Sequence, residues 1–549
     1  MNSLIRRSLK PGQLRGHRMF SSQYQSQISE LEAWMKSPRF EQIYRPYEAA
    51  QVFAARNSPS VPPMTHTFAN TQARKLWNLL GEHHKNGTPC HTMGAIDPIQ
   101  MSQYARNLEV CYVSGWAASS TLTPTNDVGP DLADYPYETV PNCVDRITRA
   151  QILHDKKTWA EHCKTNGQSE FVDYLRPVIA DADTGHGGLS TVMKQAKLFV
   201  EAGVSGIHIE DQLHGGKKCG HQGGKIIVPT GEEISRLIAA RLQFDLLGTE
   251  TVLIARTDSE SSKLISSSID GRDQEFILGV TGENIVPLAE HIAAAEQTRS
   301  GSAVIDAAEK TWLAENHLLT FNEAVVEAMK KQLFEQSDID AYLQAAAGKS
   351  NFEARKIARD NYHMEVQWSA DTARTREGFY HFAGGIEPAV KRAIEFAPYA
   401  DLLWLETKTP DLAYAREFAQ RIKAVHPNKM LVYNLSPSFN WSAQGFTEDS
   451  LRSFIWDMAK EGFVLQLVSL AGLHSAGLIA HQLSSAFKTQ GMLAYTNLIQ
   501  KPEKESGADM LKHQKWSGAE YVDDILGLVM AGSSGSKAMG GDSTENQFK

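Results

Sequence analysis

Eight short apolar runs recur along this chain, and most of them are followed by a stretch with helical periodicity. Each run ends in polar, glycine or acidic residues, a pattern typical of buried parallel strands that alternate with helices. Eight strand–helix units favour an α/β fold, a closed (β/α)8 barrel, although periodicity alone also allows an open doubly wound sheet. The runs cover residues 91–95, 110–113, 178–182, 206–209, 251–255, 402–405, 430–433 and 463–468.

The barrel pattern is preceded, interrupted and followed by segments of different composition. Residues 23–85 have helical spacing and predict an N-terminal helical layer. The strand–helix alternation occupies 86–275 and resumes over 371–486, while 276–370 is rich in Ala, Glu, Gln and Lys and predicts a helical insertion in one barrel loop. Residues 487–549 predict C-terminal helices, followed from Ala531 by a tail of flexible composition.

Residues 1–22 are basic, and the first acidic residue of the chain is Glu30. Basic, serine-containing and acid-free segments with an apolar side are typical of mitochondrial transit peptides. A disordered basic tail is the alternative, but the long acid-free start favours targeting to the mitochondrial matrix. Residues 545–549 lack the peroxisomal Ser-Lys-Leu signal, which agrees with this expectation. The lysines and arginines of the segment are Arg6, Arg7, Lys10, Arg15 and Arg18.

The charge balance and the cysteines argue against several classes of function. A formal net charge of −9 over 549 residues argues against a general nucleic-acid surface. No apolar stretch approaches the roughly 20 residues needed to span a bilayer. Five scattered cysteines without a CxxC pair indicate reduced thiols rather than disulfides or structural zinc. We therefore expect a small-molecule partner, with neither nucleic acid nor membrane.

The stretch 206–225 combines an apolar run, an acid pair and a glycine-rich cationic loop. Glu210 and Asp211 follow the run, and Lys217, Lys218 and Cys219 lie in the middle of the loop. The acids suit a metal at the end of a strand, and the glycines allow the loop to close over a substrate. The lysines predict an anion contact and a lowered thiol pKa, which would make the cysteine a proton donor or a nucleophile. A solvated surface loop with an incidental cysteine explains the loop in isolation about as well.

Polar side chains follow nearly every predicted strand, at the end of a barrel where chemistry takes place. Four carboxylates with oxygen-bearing neighbours suit Mg²⁺, which keeps several waters and binds few protein groups directly. Arginine, asparagine and serine at later strand ends are donors suited to substrate carboxylates. Each residue alone is more simply a helix cap or a satisfied core polar group, but their joint placement favours a site. The carboxylates are Asp131, Asp181, Asp183 and Glu210, and the donors are Arg256, Asn434, Ser436 and Ser438.

Several motifs at these positions resemble the isocitrate lyase family. The pentapeptide Lys-Lys-Cys-Gly-His at 217–221 is similar to the family's signature, and the likeness covers nearly all of the chain from about residue 25. It includes 114–116 (Ser-Gly-Trp), 254–258 (Ile-Ala-Arg-Thr-Asp), 404–407 (Trp-Leu-Glu-Thr) and 434–441 (Asn-Leu-Ser-Pro-Ser-Phe-Asn-Trp). The resemblance implies a Mg²⁺-dependent homotetramer that exchanges C-terminal helices between paired subunits. The long insertion is similar to that of the family's eukaryotic branch.

The reaction that the resemblance implies is a retro-aldol cleavage of a 2-hydroxytricarboxylate into a 2-oxo acid and succinate. Tyr112 is expected to take the hydroxyl proton, Cys219 to protonate the leaving succinate carbon, and His208 to support the centre. The four carboxylates are expected to hold the metal, some of them through water. The oxo acid is expected against Ser114, Gly115 and Trp116, and the remaining substrate-binding residues are Gly220, His221, Arg256, Asn434, Ser436, Ser438 and Ser469.

One segment departs from the isocitrate-cleaving pattern. Those enzymes usually read Phe-Gln-Phe-x-Thr-Leu-Ala-Gly-Phe-His, whereas residues 465–474 read Leu-Gln-Leu-Val-Ser-Leu-Ala-Gly-Leu-His. The smaller residues Leu465, Leu467 and Ser469 resemble the 2-methylisocitrate lyases, whose substrate carries an extra methyl group and which form pyruvate and succinate in the methylcitrate cycle of propionate breakdown. Neutral drift in barrel packing is the alternative explanation.

Two other functions compete with this interpretation. One is an isocitrate lyase of the glyoxylate pathway, and the other is a non-catalytic barrel kept for assembly or binding. A degenerate homologue should have lost a metal carboxylate or the thiol, and none of these residues is missing.

Overall fold

The computed structural model describes residues 22–58, 60–123, 127–532 and 534–548. The segment predicted as a transit peptide, residues 1–22, lies outside these residues except for Ser22. The chain divides into two compact units, one up to Pro62 and one from Pro63 onward, so the boundary falls inside the segment 23–85. Within the described ranges, no helix combines the length and the apolar character needed to cross a membrane.

The described part of the first unit contains two helices, Ser22–Met35 and Ala49–Ala55, with the 3₁₀ turn Pro38–Phe40 between them. Phe40 is buried, and the guanidinium of Arg45 lies over its ring at 4.4 Å. Arg45 also donates to the backbone carbonyl of Met35 at 3.0 Å. One arginine therefore joins the end of the first helix to the aromatic ring of the turn.

The second unit is built on a closed barrel of eight parallel strands. Hydrogen bonds between the first and the eighth strand, with Cys90 opposite Leu465, close the ring. The prediction of a (β/α)8 barrel is confirmed, and closure excludes the open doubly wound sheet. In chain order, the first to eighth strands are Cys90–Gly94, Val110–Val113, Val178–Asp181, Gly206–Glu210, Val252–Thr257, Leu402–Leu405, Met430–Asn434 and Phe463–Val468.

Most barrel strands are buried on both faces, which explains why the runs in the sequence are continuous rather than alternating. Val110, Ile254 and Val432 belong to the cluster that fills the barrel. Val113 and Leu253, which alternate with them, belong to the larger cluster that includes the surrounding helices. The side chains at the strand ends are therefore held between two packed layers.

Helices follow the strands as the predicted alternation requires, and several begin at a side-chain cap. Asp97 accepts the N–H of Gln100 at 2.9 Å, and Asp411 accepts the N–H of Ala413 at 2.8 Å. The helices of the barrel region are Phe68–Asn86, Pro98–Tyr104, Gly115–Thr121, Thr139–Lys164, Leu189–Glu201, Thr230–Leu247, Ile386–Phe396, Leu412–Val425, Glu448–Lys460 and Ala471–Gln490.

A largely helical insertion separates the fifth strand from the sixth. Its helices are Leu288–Gln297, Ser302–Glu315, Phe321–Lys331, Gln336–Ala346 and Asn351–Tyr362. The insertion has an apolar core of its own, in which Phe321, Met329 and Tyr342 are buried together. Reciprocal capping boxes start two of the helices, at Thr320 with Glu323 and at Ser350 with Glu353.

Two small sheets were not predicted from the sequence. Leu278–Thr281, Leu319–Thr320 and Trp368–Ser369 form a three-stranded sheet within the insertion, so an all-helical segment 276–370 is incomplete. Ile226–Ile227, Leu264–Ile265 and Tyr380–His381 form a second sheet. Strands of two to four residues are too short to show an alternating pattern in the sequence.

The C-terminal region continues with the helices Met492–Tyr495, Lys501–Ser506, His513–Ser517 and Ala519–Val529. Within the tail of flexible composition that begins at Ala531, Thr544–Gln547 forms a 3₁₀ turn. The carboxylate of Glu545 in this turn is buried and accepts the backbone N–H groups of Gln514 and Lys515. A hydrogen-bonded acid therefore anchors a sequence of flexible composition.

Candidate active site

A cavity of about 280 Å³ opens at the carboxyl ends of the barrel strands, under the glycine-rich loop that follows the fourth strand. Thirteen predicted site residues line it: Tyr112, Ser114, Trp116, Asp131, Asp181, Cys219, Gly220, His221, Arg256, Asn434, Ser436, Ser438 and Ser469. Six further lining residues had no role predicted from the sequence: Trp404, Glu406, Pro437, Leu470, Leu473 and His474.

Three buried aspartates gather at one side of the cavity. Asp131, Asp181 and Asp183 offer carboxylate oxygens that lie within 4.8 Å of one another. Backbone donors orient Asp181, because the N–H of Gly115 lies 3.1 Å from its Oδ2 and the N–H of Asp183 lies 2.9 Å from its Oδ1. Carboxylates that are fixed in this way are suited to hold a cation.

Lys217 places its ammonium inside this acidic cluster. Its Nζ lies 2.6 Å from Oδ1 of Asp183, contacts Asp131, and lies 3.7 Å from Oε1 of Glu210. Burial lowers the pKa of Lys217, but Asp131, Asp183 and Glu210 together hold it well above its usual value. The anionic partner that the sequence predicts for this lysine is therefore the acidic cluster of the protein itself.

The acids still retain unmatched acceptor capacity. Burial raises the pKa of Glu210 well above its usual range. The pKa of Asp183 is held well below its usual value, despite burial, by Lys217 and His186. Oδ1 of Asp131 is buried and has no hydrogen-bond partner in the part of the chain that the structure describes. An oxygen-preferring divalent cation fits this donor set.

Tyr112, His208 and Asp181 form a buried hydrogen-bonded group. The hydroxyl of Tyr112 lies 3.0 Å from Nε2 of His208 and donates to Oδ2 of Asp181 at 3.4 Å. Burial and the charge of Asp181 raise the pKa of Tyr112 well above its usual value, and burial lowers the pKa of His208. In this arrangement the phenol therefore holds its proton and the imidazole is neutral. His208 lies behind Tyr112 rather than on the cavity wall.

Cys219 lines the cavity from the loop, where its backbone N–H donates to Oε1 of Gln222 at 3.2 Å. Burial raises the pKa of the Cys219 thiol to about 11. The expectation of a lowered thiol pKa is wrong, because Lys217 is directed to the aspartates and the ammonium of Lys218 to backbone carbonyls. A thiol that keeps its proton at neutral pH suits a general acid better than a nucleophile.

Arg256 contributes a positive charge to the lining of the cavity. Its guanidinium lies 3.2 Å from Oε2 of Glu210 and donates to Oδ2 of Asp258 at 3.0 Å. It also lies over the ring of Trp404 at 5.2 Å, and Nε is 3.8 Å from Glu406. Burial lowers the pKa of Arg256, but these acids hold it well above its usual value. The guanidinium is thus charged and fixed in position.

A chain of polar contacts continues around this wall. Asn434 donates to Oε1 of Glu406 at 3.1 Å and accepts from Oγ of Ser469 at 3.1 Å. Nδ1 of His221 lies 3.3 Å from Oγ of Ser436, which brings the loop against the end of the seventh strand. Donors from three separate parts of the chain therefore converge on one space.

Besides His208, the predicted residues that do not line the cavity fall into two groups. Gly115, Asp183 and Glu210 lie behind the wall, among the acids and their partners. Leu465 and Leu467 are fully buried in the cluster that fills the barrel. Of the three residues predicted to set specificity, only Ser469 reaches the cavity, where Leu473 from the same departing segment joins it.

Sequence reasoning missed Trp404 and Tyr135. The ring of Trp404 packs against His208 with ring centroids 4.6 Å apart, and the hydroxyl of Tyr135 donates to Oδ2 of Asp183. Trp404 lies in the motif 404–407, but an apolar residue inside a buried strand does not by itself indicate a contact with the cavity. The position of Tyr135, four residues after Asp131, was the only available hint.

The sequence matches the model of the isocitrate lyase family over residues 27–548. It is 52% identical over 532 residues to the mitochondrial 2-methylisocitrate lyase of Hypocrea atroviridis, covering 96% of this chain and 94% of that protein. It is 50% identical over 535 residues to the mitochondrial 2-methylisocitrate lyase of Saccharomyces cerevisiae, covering 95% and 92%. Identity to the isocitrate lyase of Kluyveromyces lactis is 44% over 532 residues, covering 96% and 97%. The chain belongs to the isocitrate lyase family.

Proposed function

We propose that this protein is a mitochondrial, Mg²⁺-dependent 2-methylisocitrate lyase that forms pyruvate and succinate. The observation that carries the proposal is the identity of about half of the residues to two relatives of that name over more than nine-tenths of each chain. The cavity supports it, since it combines a protonated thiol, a fixed guanidinium and a buried acidic cluster.

Substrate binding is assigned to the two walls of the cavity. Ser114 and Trp116, with the backbone of Gly115, would hold the part of the substrate that becomes the oxo acid. The succinate part would lie against Arg256, whose planar guanidinium pairs well with a carboxylate. Its remaining carboxylate oxygens would accept hydrogen bonds from Gly220, His221, Asn434, Ser436, Ser438 and Ser469.

Two proton transfers accompany cleavage of the carbon–carbon bond. Tyr112 would take the proton of the substrate hydroxyl while it passes its own proton to Nε2 of the neutral His208, 3.0 Å away, so that the substrate oxygen forms the new carbonyl of pyruvate as the bond breaks. The bonding electron pair stays on the succinate carbon, and the thiol of Cys219 would supply the proton that this carbon needs. Before the next turnover, the proton held by His208 would return through Tyr112 and solvent to the Cys219 thiolate.

Asp131, Asp181, Asp183 and Glu210 would hold Mg²⁺, some of them through water, as the free acceptor of Asp131 and the excess of acids suggest. When bound, the ion stabilises negative charge on the hydroxyl oxygen and lowers the cost of removing its proton. His208 keeps Tyr112 in place by the hydrogen bond to its hydroxyl.

The assembly and the domain layout are also proposed. We expect a homotetramer in which C-terminal helices exchange between paired subunits, since Leu478, Val522 and Leu528 expose apolar side chains on helices of that region. We assign 1–22 to a transit peptide, 23–85 to an N-terminal segment, 86–275 and 371–486 to the barrel, 276–370 to the insertion and 487–549 to the C-terminal helices.

Isocitrate lyase is the second candidate, because two relatives of that name are 44% and 42% identical over 96% of this chain. A coupled assay of the purified protein with Mg²⁺ distinguishes the two by detecting pyruvate from 2-methylisocitrate and glyoxylate from isocitrate. We expect a higher kcat/KM for 2-methylisocitrate. A clear preference for isocitrate would replace the proposal, and no turnover of either substrate would favour the non-catalytic barrel.

A further inference from the structure

Lys225 is a fully buried lysine just beyond the loop that carries Cys219. Its side chain is 1% exposed, and its ammonium donates to the carbonyl of Gly220 at 2.7 Å and to Oδ1 of Asp258 at 2.9 Å. A buried ammonium is stable only where such partners replace water. Of these two partners, one is loop backbone and the other is a side chain of the barrel.

Asp258 also holds the guanidinium that faces the cavity. Arg256 donates from Nε to Oδ2 of Asp258 at 3.0 Å and from its terminal nitrogen to Oδ1 at 3.2 Å. The backbone N–H of Asp258 in turn donates to Asp211 at 2.8 Å, and Arg392 donates to the same aspartate at 2.9 Å. A single, well-anchored carboxylate therefore links Lys225 to Arg256.

The loop backbone fits closely against this group. A Cβ atom added to Gly220 would lie 2.5 Å from Oε1 of Glu406 and 2.8 Å from the guanidinium of Arg256. Only glycine allows the loop to approach so closely. The carbonyl that Lys225 binds thus belongs to a residue packed directly on the charged wall of the cavity.

The two sides of the contact differ in rigidity. Lys225 precedes the strand Ile226–Ile227, which pairs with Leu264–Ile265. Gly223 and Gly224 separate it from the loop, both are exposed, and Gly224 has a φ of +73°. The glycine pair can therefore act as a hinge of the loop. The ammonium of Lys225, at the edge of the sheet, can hold the loop in its closed position.

We propose that Lys225 and Asp258 are positioning residues that latch the loop over the cavity and place Cys219 beside the substrate. The inference rests on the proposed function in assigning a task to Cys219. Because Asp258 accepts hydrogen bonds from both Lys225 and Arg256, loop closure and the binding of a substrate carboxylate depend on the same side chain. Neither Lys225 nor Asp258 touches the substrate in this scheme.

The test measures the position of the loop without turnover. Full-length Lys225→Met protein is treated with iodoacetamide, and alkylation of Cys219 is followed by mass spectrometry relative to the exposed Cys163 of the same sample. We expect the relative rate at Cys219 to rise about 10- to 100-fold, the factor that corresponds to one lost charge-assisted hydrogen bond. Lys225→Arg, which keeps a charged donor, should restore most of the protection.

Lys429→Met is the matched control. Lys429 is also buried and donates to two backbone carbonyls, those of Ala397 at 2.8 Å and Ala400 at 2.9 Å, at the start of the seventh strand. We expect this variant to lose stability without a change in the relative alkylation of Cys219. An equal rise in both variants would assign the effect to general loosening and overturn the latch.

A second variant covers the case in which Lys225→Met does not fold. Asp258→Asn keeps the shape but weakens both the lysine and the arginine contacts, so Cys219 should react faster and KM should rise together with a fall in kcat. Wild-type alkylation of Cys219 in a folded Lys225→Met or Asp258→Asn protein contradicts the proposal. If the variants expose Cys219 but wild-type protein cleaves neither substrate, the proposed function fails and the latch stands.

Discussion

Nζ of Lys217 lies 2.6 Å from Oδ1 of Asp183, so the first lysine of the loop neutralises the acidic cluster instead of activating the neighbouring thiol. The lysine is 2% exposed and also contacts Asp131. In this position of the loop, the ammonium of Lys217 lies among the carboxylates. The position of the loop and the charge of the cluster are therefore coupled.

Replacing Lys217 tests this coupling through stability. Lys217→Met leaves buried carboxylates without their cation, and we expect the metal-free protein to lose about 3–5 kcal/mol of unfolding free energy. Added Mg²⁺ should stabilise the variant more than it stabilises the wild type, because the variant's cluster is more negative. Thermal unfolding with and without EDTA measures both effects. Lys218→Met is the control, since within the described residues the ammonium of Lys218 donates to the carbonyls of Gly216 and Lys217, and an equal loss there would contradict the interpretation.

The role of Cys219 as proton donor predicts a kinetic effect. Cys219→Ser keeps the size of the side chain but makes the acid far weaker, so kcat should fall roughly 10²- to 10⁴-fold, as for a lost general acid. Substrate binding should change little, and KM should stay near the wild-type value. Cys163→Ser, at an exposed position, is the matched control and should keep full activity. A near-normal kcat for Cys219→Ser would show that another group supplies the proton.

The raised pKa of Cys219 predicts an unusual pH dependence of its reactivity. Alkylation requires the thiolate, and with a pKa of about 11 that form is scarce at neutral pH. The alkylation rate at Cys219 should therefore keep rising with pH beyond the point at which an ordinary thiol is fully ionised. Initial rates at a series of pH values, read by mass spectrometry, provide the titration curve. A plateau near neutral pH would mean that the lysines do activate the thiol.

The methyl group of the substrate predicts a selective effect at the eighth strand. Ser469 lines the cavity, and Ser469→Thr adds a methyl group to the wall where the substrate's own methyl needs space. We expect kcat/KM for 2-methylisocitrate to fall by about 10- to 200-fold, while isocitrate is less affected. Steady-state kinetics with both substrates measures the change in preference.

Two companion variants separate direct from indirect effects on specificity. Leu467→Phe enlarges a residue of the barrel interior and should reduce both activities and stability, because an already packed core has no room for a ring. Leu465→Met, deeper in the same strand, conserves volume and should leave the substrate preference unchanged. An unchanged preference in folded Ser469→Thr protein would remove this residue from the specificity assignment.

The unmatched acceptor on Asp131 predicts a metal requirement. Chelation should abolish turnover and lower the unfolding temperature, and Mg²⁺ should restore both. Asp131→Asn should reduce the thermal shift produced by Mg²⁺, whereas Asp145→Asn, which removes an exposed partner of Arg149, should not. Full activity in metal-free protein, or an equal thermal shift in the two variants, would exclude a metal at this cluster.

The barrel could be predicted from the sequence because most of its strands are buried on both faces; Cys90–Gly94, in which buried and half-buried residues alternate, is the exception. Val110–Val113, Leu402–Leu405 and Phe463–Val468 occur where the apolar runs place them. The remaining strand boundaries shift by one or two residues, as at Val252–Thr257, where Arg256 and Thr257 extend the strand although their side chains are polar. The strands outside the barrel were missed because none of them forms a continuous apolar run of four residues.

The residues of the site were easier to predict than their electrostatics. Motifs indicate which side chains meet, and thirteen of the predicted residues line the cavity. The pKa of Cys219 depends instead on burial and on the direction of two lysine side chains, neither of which is encoded in local spacing. For the same reason Lys225 and Asp258 were not singled out, since their bond joins residues 33 positions apart.

The insertion between the fifth and sixth strands has a consequence for how the chain folds. The N–H of Leu253 donates to Asp401 at 2.8 Å across 148 positions, so these neighbouring strands meet only after a very long loop has closed. Closing a disordered loop costs conformational entropy that grows by about 0.6 kcal/mol for each doubling of its length. The insertion's own core, with Phe321 and Tyr342, allows it to fold first and to present its two ends together. We therefore expect the insertion to fold before the barrel closes and to limit the rate of closure, although none of its helices lines the cavity.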